Sequence, residues 1–96
     1  MALTFEWDED KAVLNLQKHD VSFEEASTVF ADPLAAIFDD EEHSHDEIRE
    51  IAIGRTILQR LVLVVFTERR EDLIRIISAR KATRREQRDY EEGTRP

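Results

Sequence analysis

The sequence predicts an α+β fold in one domain spanning residues 1–96, with two helix patterns near the start, strand patterns after them, and one helix at the end. Three observations carry that reading. Ser22-Phe23-Glu24-Glu25 and Thr83-Arg84-Arg85-Glu86 are capping boxes, the pattern in which a hydroxyl and a glutamate satisfy each other's backbone amides at a helix start. Residues 61–66, LVLVVF, are apolar on both faces, as a central strand covered on each side must be. The polar spacer 68–72, ERRED, separates two strand-like runs and reads as an antiparallel hairpin connection.

The elements follow in order. Residues 3–7, LTFEW, alternate apolar and polar side chains like a half-buried strand. Asp8 then caps a first helix, with Glu9 and Asp10 near its positive end and Asp20 at its close. At about 100° per residue, Ala12, Val13 and Leu16 form the stripe expected to be buried. Lys11, Asn15, Lys18 and His19 fall on an adjoining polar stripe. The box at Ser22 opens a second, short helix that is amphipathic through Phe23, Ala26 and Phe30, and Glu25 is expected to reach back to residue 22. Asp32-Pro33 ends it, because the residue before proline is pushed out of helical geometry.

Residues 34–38 predict an edge strand and 39–47 a solvated acidic loop. Strands are expected at 48–55, 61–68 and 73–80. On the last of these, plain alternation puts Arg75, Ile77 and Ala79 on one face and Ile74, Ile76, Ser78 and Arg80 on the other. The final helix starts at Thr83, and residues 84–96 form a polar helix and tail whose one large ring is Tyr90. A helix polar all round is expected to project or to lie against a partner.

Charge is placed unevenly. The formal net charge is −8, yet residues 1–50 hold fifteen acids against Lys11, Lys18 and Arg49, a balance of −12. Residues 69–88 hold eight Lys or Arg against Glu71, Asp72 and Glu86, a balance of +5. This excludes indiscriminate nucleic-acid binding but leaves room for a local basic cleft. The chain has no cysteine, so disulfides, thiolate zinc sites and cysteine nucleophiles are excluded. No apolar run approaches the ~20 residues of a membrane-spanning helix, and no secretory signal is visible, so a soluble, cytoplasmic protein is expected.

Three constellations could carry chemistry. The acidic loop with His43 and His45 has metal-ligand types, but nothing rigid surrounds it, and no metal or other cofactor is expected. Lys11, Asn15, Lys18 and His19 put two cations, an amide and an imidazole on one stripe, which suits a phosphodiester; the bland alternative is a helix end complementing its dipole. RNA supplies its own nucleophile, the 2′-hydroxyl, so a metal-free site needs a proton carrier and cations over the phosphate. Arg80, Lys81, Arg84, Arg85 and Arg88 gather where the last strand meets the last helix, a cationic patch that could equally serve the acidic first half.

Taken together, FEWDEDKAVLNLQKHDVSFEEA, EIAIGR and RIISARKATRREQRDY resemble the BrnT family of type II toxins, from Phe5 to Tyr90. The resemblance runs through Trp7-Asp8, Lys11, Asn15, Lys18-His19 and Phe23, then Ser78-Ala79-Arg80, Ala82, Glu86 and Tyr90. It implies a RelE-like fold, a small antiparallel sheet with two N-terminal helices and one C-terminal helix. It implies a metal-independent endoribonuclease toxin that cleaves RNA and inhibits translation. The partner implied is a cognate BrnA-like antitoxin with a ribbon-helix-helix part, in a heterotetramer that meets operator DNA only through the antitoxin. On this reading His19 shuttles the proton while Lys11 and Arg80 stabilise the phosphate. Lys18, Asn15, Arg75, Lys81 and Arg84 contact RNA, and the antitoxin covers the last helix or the neighbouring sheet edge. The alternative is a non-catalytic, small acidic protein-binding module. The two part on whether His19 and Arg80 share a phosphate-sized cleft.

Overall fold

A computed structural model describes residues 2–43 and 47–93. The expected acidic loop lies partly outside them, His45 included; what is described is β2 to Asp39 and a 3₁₀ turn at Glu41–His43. The order is β1 (Thr4–Glu6), α1 (Glu9–His19), α2 (Phe23–Ser27) continued by a 3₁₀ turn (Thr28–Ala31), β2 (Ala36–Asp39), β3 (Glu50–Arg55), β4 (Leu61–Arg70), β5 (Leu73–Lys81) and α3 (Arg84–Gly93). Five strands form one sheet in the order β1-β5-β4-β3-β2, which puts the doubly apolar β4 at its centre.

The sheet is mixed, not antiparallel as expected. β1 pairs parallel with β5, with Thr4 opposite Leu73 and Glu6 opposite Arg75, while the other three pairings are antiparallel. The helices between β1 and β5 supply the crossover that parallel neighbours need. The hairpin between β4 and β5 is also tighter than the polar spacer suggests. Both strands run into it, leaving Glu71 and Asp72 as the turn, with Asp72 at φ 64°.

α1 and α2 cover one face of the sheet. Phe23, Val21, Val29, Val62, Val64 and Ile76 are its largest fully buried side chains, each contributing about 1.5–3 kcal/mol of burial. Phe30 bridges Phe5 and Phe66 at ring separations of 5.4 and 5.0 Å, which fastens β1 and the 3₁₀ turn to the sheet. The buried stripe of α1 is not the expected one. Asn15 is buried and Ala12 packs on the core, whereas Val13, Leu14 and Leu16 are half exposed or more.

The opposite face is covered less completely. Ile53, Leu61 and Leu63 form a second, smaller core there, closed by Ile51, Ala82 and Tyr90. So α3 does not project: Tyr90 docks it to the sheet, and the Tyr90 hydroxyl donates to Asp32 Oδ2 at 2.7 Å. Asp32 also accepts from the amides of Arg55 (2.7 Å) and Leu34 (2.9 Å). Burial pushes the Tyr90 hydroxyl up to about 12, reinforced by its bond to Asp32. Burial also works to raise the Asp32 carboxyl, but its three donors hold it below its ordinary value.

Candidate functional site

Two features of β5 build the site. β1 pairs only with Leu73, Ile74 and Arg75, so it leaves the rest of that edge of β5 to α1. There Asn15 stands in for a neighbouring strand. Its Nδ2 donates to the carbonyls of Ala79 and Val21, each at 2.9 Å, and its Oδ1 accepts from the Ala79 N–H at 3.1 Å. An amide is the side chain that can offer a donor and an acceptor to one residue's backbone. His19 follows one turn later as the last residue of α1, the helix that packs along β5.

The second feature is a bulge. Phe66 pairs with Ile76 but Val65 pairs with Ser78, so Ile77 is the extra residue. Directly paired residues share a face, which places Ile74, Ile76 and Ala79 toward the helices. Arg75, Ser78 and Arg80 then share the opposite face, correcting the division that plain alternation gives.

On that face lies a cleft of ≈ 380 Å³. His19, Ser78 and Arg80 line it from the β5 side, Asp40, Glu42 and Arg49 from the β2–β3 side, and Ile51, Leu63, Val65 and Ile77 contribute apolar lining. A larger groove of ≈ 860 Å³ beside Asp32, Arg55 and Tyr90 is lined mainly by apolar and neutral groups. The smaller cleft holds the imidazole and two guanidinium groups, so it is where a phosphate can be bound and protons moved.

Arg80 is held by Glu86. The guanidinium grips both carboxylate oxygens, Nη1–Oε1 at 2.8 Å and Nη2–Oε2 at 2.9 Å, and Nη1 also donates to the Lys81 carbonyl at 3.2 Å. Glu86 is at the same time the closing residue of the second capping box. It accepts from the Thr83 N–H at 2.9 Å while its own N–H donates to Thr83 Oγ1 at 3.1 Å. The Arg80 bonds hold the Glu86 carboxyl down to about 2, and Glu86 raises Arg80 in turn. The helix start and the cationic side chain are one unit.

The structure brings His19 and Arg80 together and leaves other expected site residues elsewhere. Asn15 is 7% exposed with its amide engaged by backbone, which braces α1 against β5 and leaves it outside the cleft lining. Lys11 lies about 12 Å of helix before His19 and does not line the cleft. Lys18 is exposed beside it in sequence, also outside the lining. Arg75 pairs with Glu6 at 2.8 Å, Lys81 reaches Asp20 at 3.4 Å, and Arg84 sits on the exposed side of α3. Sequence reasoning missed Arg49 and Ser78 as lining groups. Arg49 was visible only as the one cation in an acidic stretch, and Ser78 points into the cleft only because of the bulge. Among the described residues, no group of three or more histidine or acidic side chains is placed to hold a metal ion. Nor is any helix long and apolar enough to cross a membrane.

Residues 7–86 match the family described as ribonuclease toxin, BrnT, of type II toxin-antitoxin system. The chain belongs to the BrnT family. Membership makes it a ribonuclease toxin of a toxin–antitoxin pair, with a protein antitoxin as partner. Its fold is similar to that in the 1.1 Å crystal structure of the Brucella abortus ribonuclease toxin, BrnT. The TM-score is 0.66 at 24% sequence identity, over 86% of this chain and 100% of that one. No curated protein matches the chain.

Proposed function

We propose that this BrnT-family chain cleaves RNA without a metal and so inhibits translation, and that a BrnA-like ribbon-helix-helix antitoxin neutralises it in a heterotetramer. The observation that carries the catalytic part is the shared cleft of His19 and Arg80. A phosphodiester seated there meets the Arg80 guanidinium, with Arg49 across the cleft. Its 2′-oxygen attacks phosphorus, the bond to the 5′-oxygen breaks, and a 2′,3′-cyclic phosphate and a 5′-hydroxyl result. His19 carries the proton from the 2′-oxygen toward the departing 5′-oxygen. Arg80 stabilises the charge that grows on the non-bridging oxygens, a role worth about 10²–10³ in rate where one donor is removed.

Substrate contact centres on this cleft, because the chain as a whole is acidic. Lys18 stands nearest among the remaining cations of α1 and serves the strand beyond the cleft, while Lys11 is too distant to act on the same phosphate. The test is incubation of purified, antitoxin-free protein with total RNA in excess chelator. Fragments ending in a cyclic phosphate are expected. Intact RNA with chelator, restored to cleavage by added divalent metal, contradicts the metal-free reading.

A further inference from the structure

The cleft leaves one feature beside it unused. β2 is an edge strand, exposed along its whole length, with Ile37 55% and Phe38 47% exposed and Leu34 56% exposed just before it. Among the described residues it has a sheet neighbour on one side only. Sheet edges are usually blunted by shortness, by charged side chains, lysine above all, by proline or by a bulge. The strand AIFD is short and ends in Asp39, but it carries no lysine or proline, and its register with β3 is unbroken from Ala36↔Ile53 to Asp39↔Glu50.

The charge at its end names the occupant. Asp39, Asp40, Glu41 and Glu42 are consecutive, and Asp39 lies directly opposite Glu50, a like-charge pair that costs stability across a ladder. A cationic segment laid along the strand would offset that repulsion, whereas an RNA phosphate would add to it. Asp40 and Glu42 also line the cleft, so anything paired with β2 and extended past Asp39 crowds the space between His19 and Arg80.

We infer that the outer edge of β2 is a docking strand for an extended segment of the protein partner that alternates apolar and basic residues, added as a sixth strand whose end closes the cleft. The partner is the antitoxin of the preceding reading, and the inference locates its inhibitory contact. Main-chain bonds to β2 supply affinity, alternate side chains meet Ile37 or Phe38, and the basic residues meet the acidic run.

The probe is a seven-residue peptide alternating lysine and valine, with a second version in which two valines are replaced by proline. Amide hydrogen exchange of the full chain is followed with each. The first peptide is expected to protect the amides of residues 36–39 and to slow RNA cleavage. The proline version keeps the charge but lacks two donors, and should bind about ten-fold more weakly. Asp39→Lys should weaken the first peptide while leaving cleavage in its absence unchanged. Protection elsewhere, equal binding of both peptides, or β2 protection by oligouridylate instead of peptide overturns the inference. A chain that cleaves no RNA would fail the preceding reading alone, since the exchange data still decide whether β2 pairs.

Discussion

Two glutamates occupy the closing position of capping boxes, and each holds an arginine, but they do so in different surroundings. Glu25 turns away from its box. Ser22 Oγ still accepts from the Glu25 N–H at 3.0 Å, yet the carboxylate points inward to Arg60 and Thr56 and is 7% exposed. Arg60 Nε lies 2.9 Å from its Oε2, and Arg60 also reaches the Asp20 carbonyl at 2.8 Å. The Arg60 bonds lower the Glu25 pKa against its burial. Glu86, by contrast, completes its box and keeps Arg80 at the rim of the cleft, with the guanidinium half open to water. The first pair ties the helix layer to the β3–β4 turn and has no access to a substrate. The arginine of the second lines the cleft proposed to take the RNA phosphate. A capping box therefore fixes where a helix begins, while the arginine within reach decides what the glutamate does next.

The largest expected effect falls on the buried pair. Arg60→Ala leaves Glu25 charged and unpaired, which costs roughly 3 kcal/mol and lowers the melting temperature by about 15 °C. Thermal unfolding by circular dichroism measures it, and cleavage at a permissive temperature should be retained. A variant that stays stable but loses cleavage would erase the contrast between the two pairs. Glu86→Gln should do the reverse. It keeps a capping oxygen and costs about 1 kcal/mol, but frees Arg80 and lowers single-turnover cleavage about ten-fold. Glu86→Ala should lower the rate similarly while α3 frays more.

The smallest effect is in acid. Glu86 is depressed from 4.5 to about 2, so its stabilising contribution is complete above pH 4.5 and is lost as pH falls toward 2. Fraying of α3, followed by exchange at Gln87 and Tyr90, should increase across that window in the wild type. In Glu86→Gln the increase should be smaller, leaving only what protonation of Asp32, the acceptor for Tyr90, contributes.

Much of the fold was legible in local sequence. All three helix starts, the stop at Asp32-Pro33, the central place of residues 61–66 and the edge place of β2 follow from caps, proline and alternation. What escaped depends on residues distant in the chain. Nothing in Thr4–Glu6 says that it pairs parallel with Leu73, Ile74 and Arg75. The bulge at Ile77 that turns Ser78 and Arg80 to one face coincides with a doubled apolar pair, Ile76-Ile77, that interrupts the alternation of LIRIISARK, but only the partner strand shows that the doubling is a bulge. Asn15 shows the same limit in the site: an amide on a polar stripe suggests a ligand, and only the open edge of β5 reveals that it substitutes for a strand. Ala12, Val13 and Leu16 make the apolar stripe, yet of these Ala12 alone packs on the core, and the polar Asn15 faces the sheet beside it. That His19 and Arg80 line one cleft was legible because one ends a helix and the other lies next to the end of a strand, and such ends meet at the same side of a small sheet.

The shared cleft is tested most directly by a double-mutant cycle on His19→Ala and Arg80→Ala in single-turnover RNA cleavage, with folding of each variant checked by circular dichroism. Two groups acting on one phosphate should be non-additive, so that either change alone removes nearly as much rate as both together. Losses that simply multiply, or a wild-type rate in His19→Ala, would contradict it.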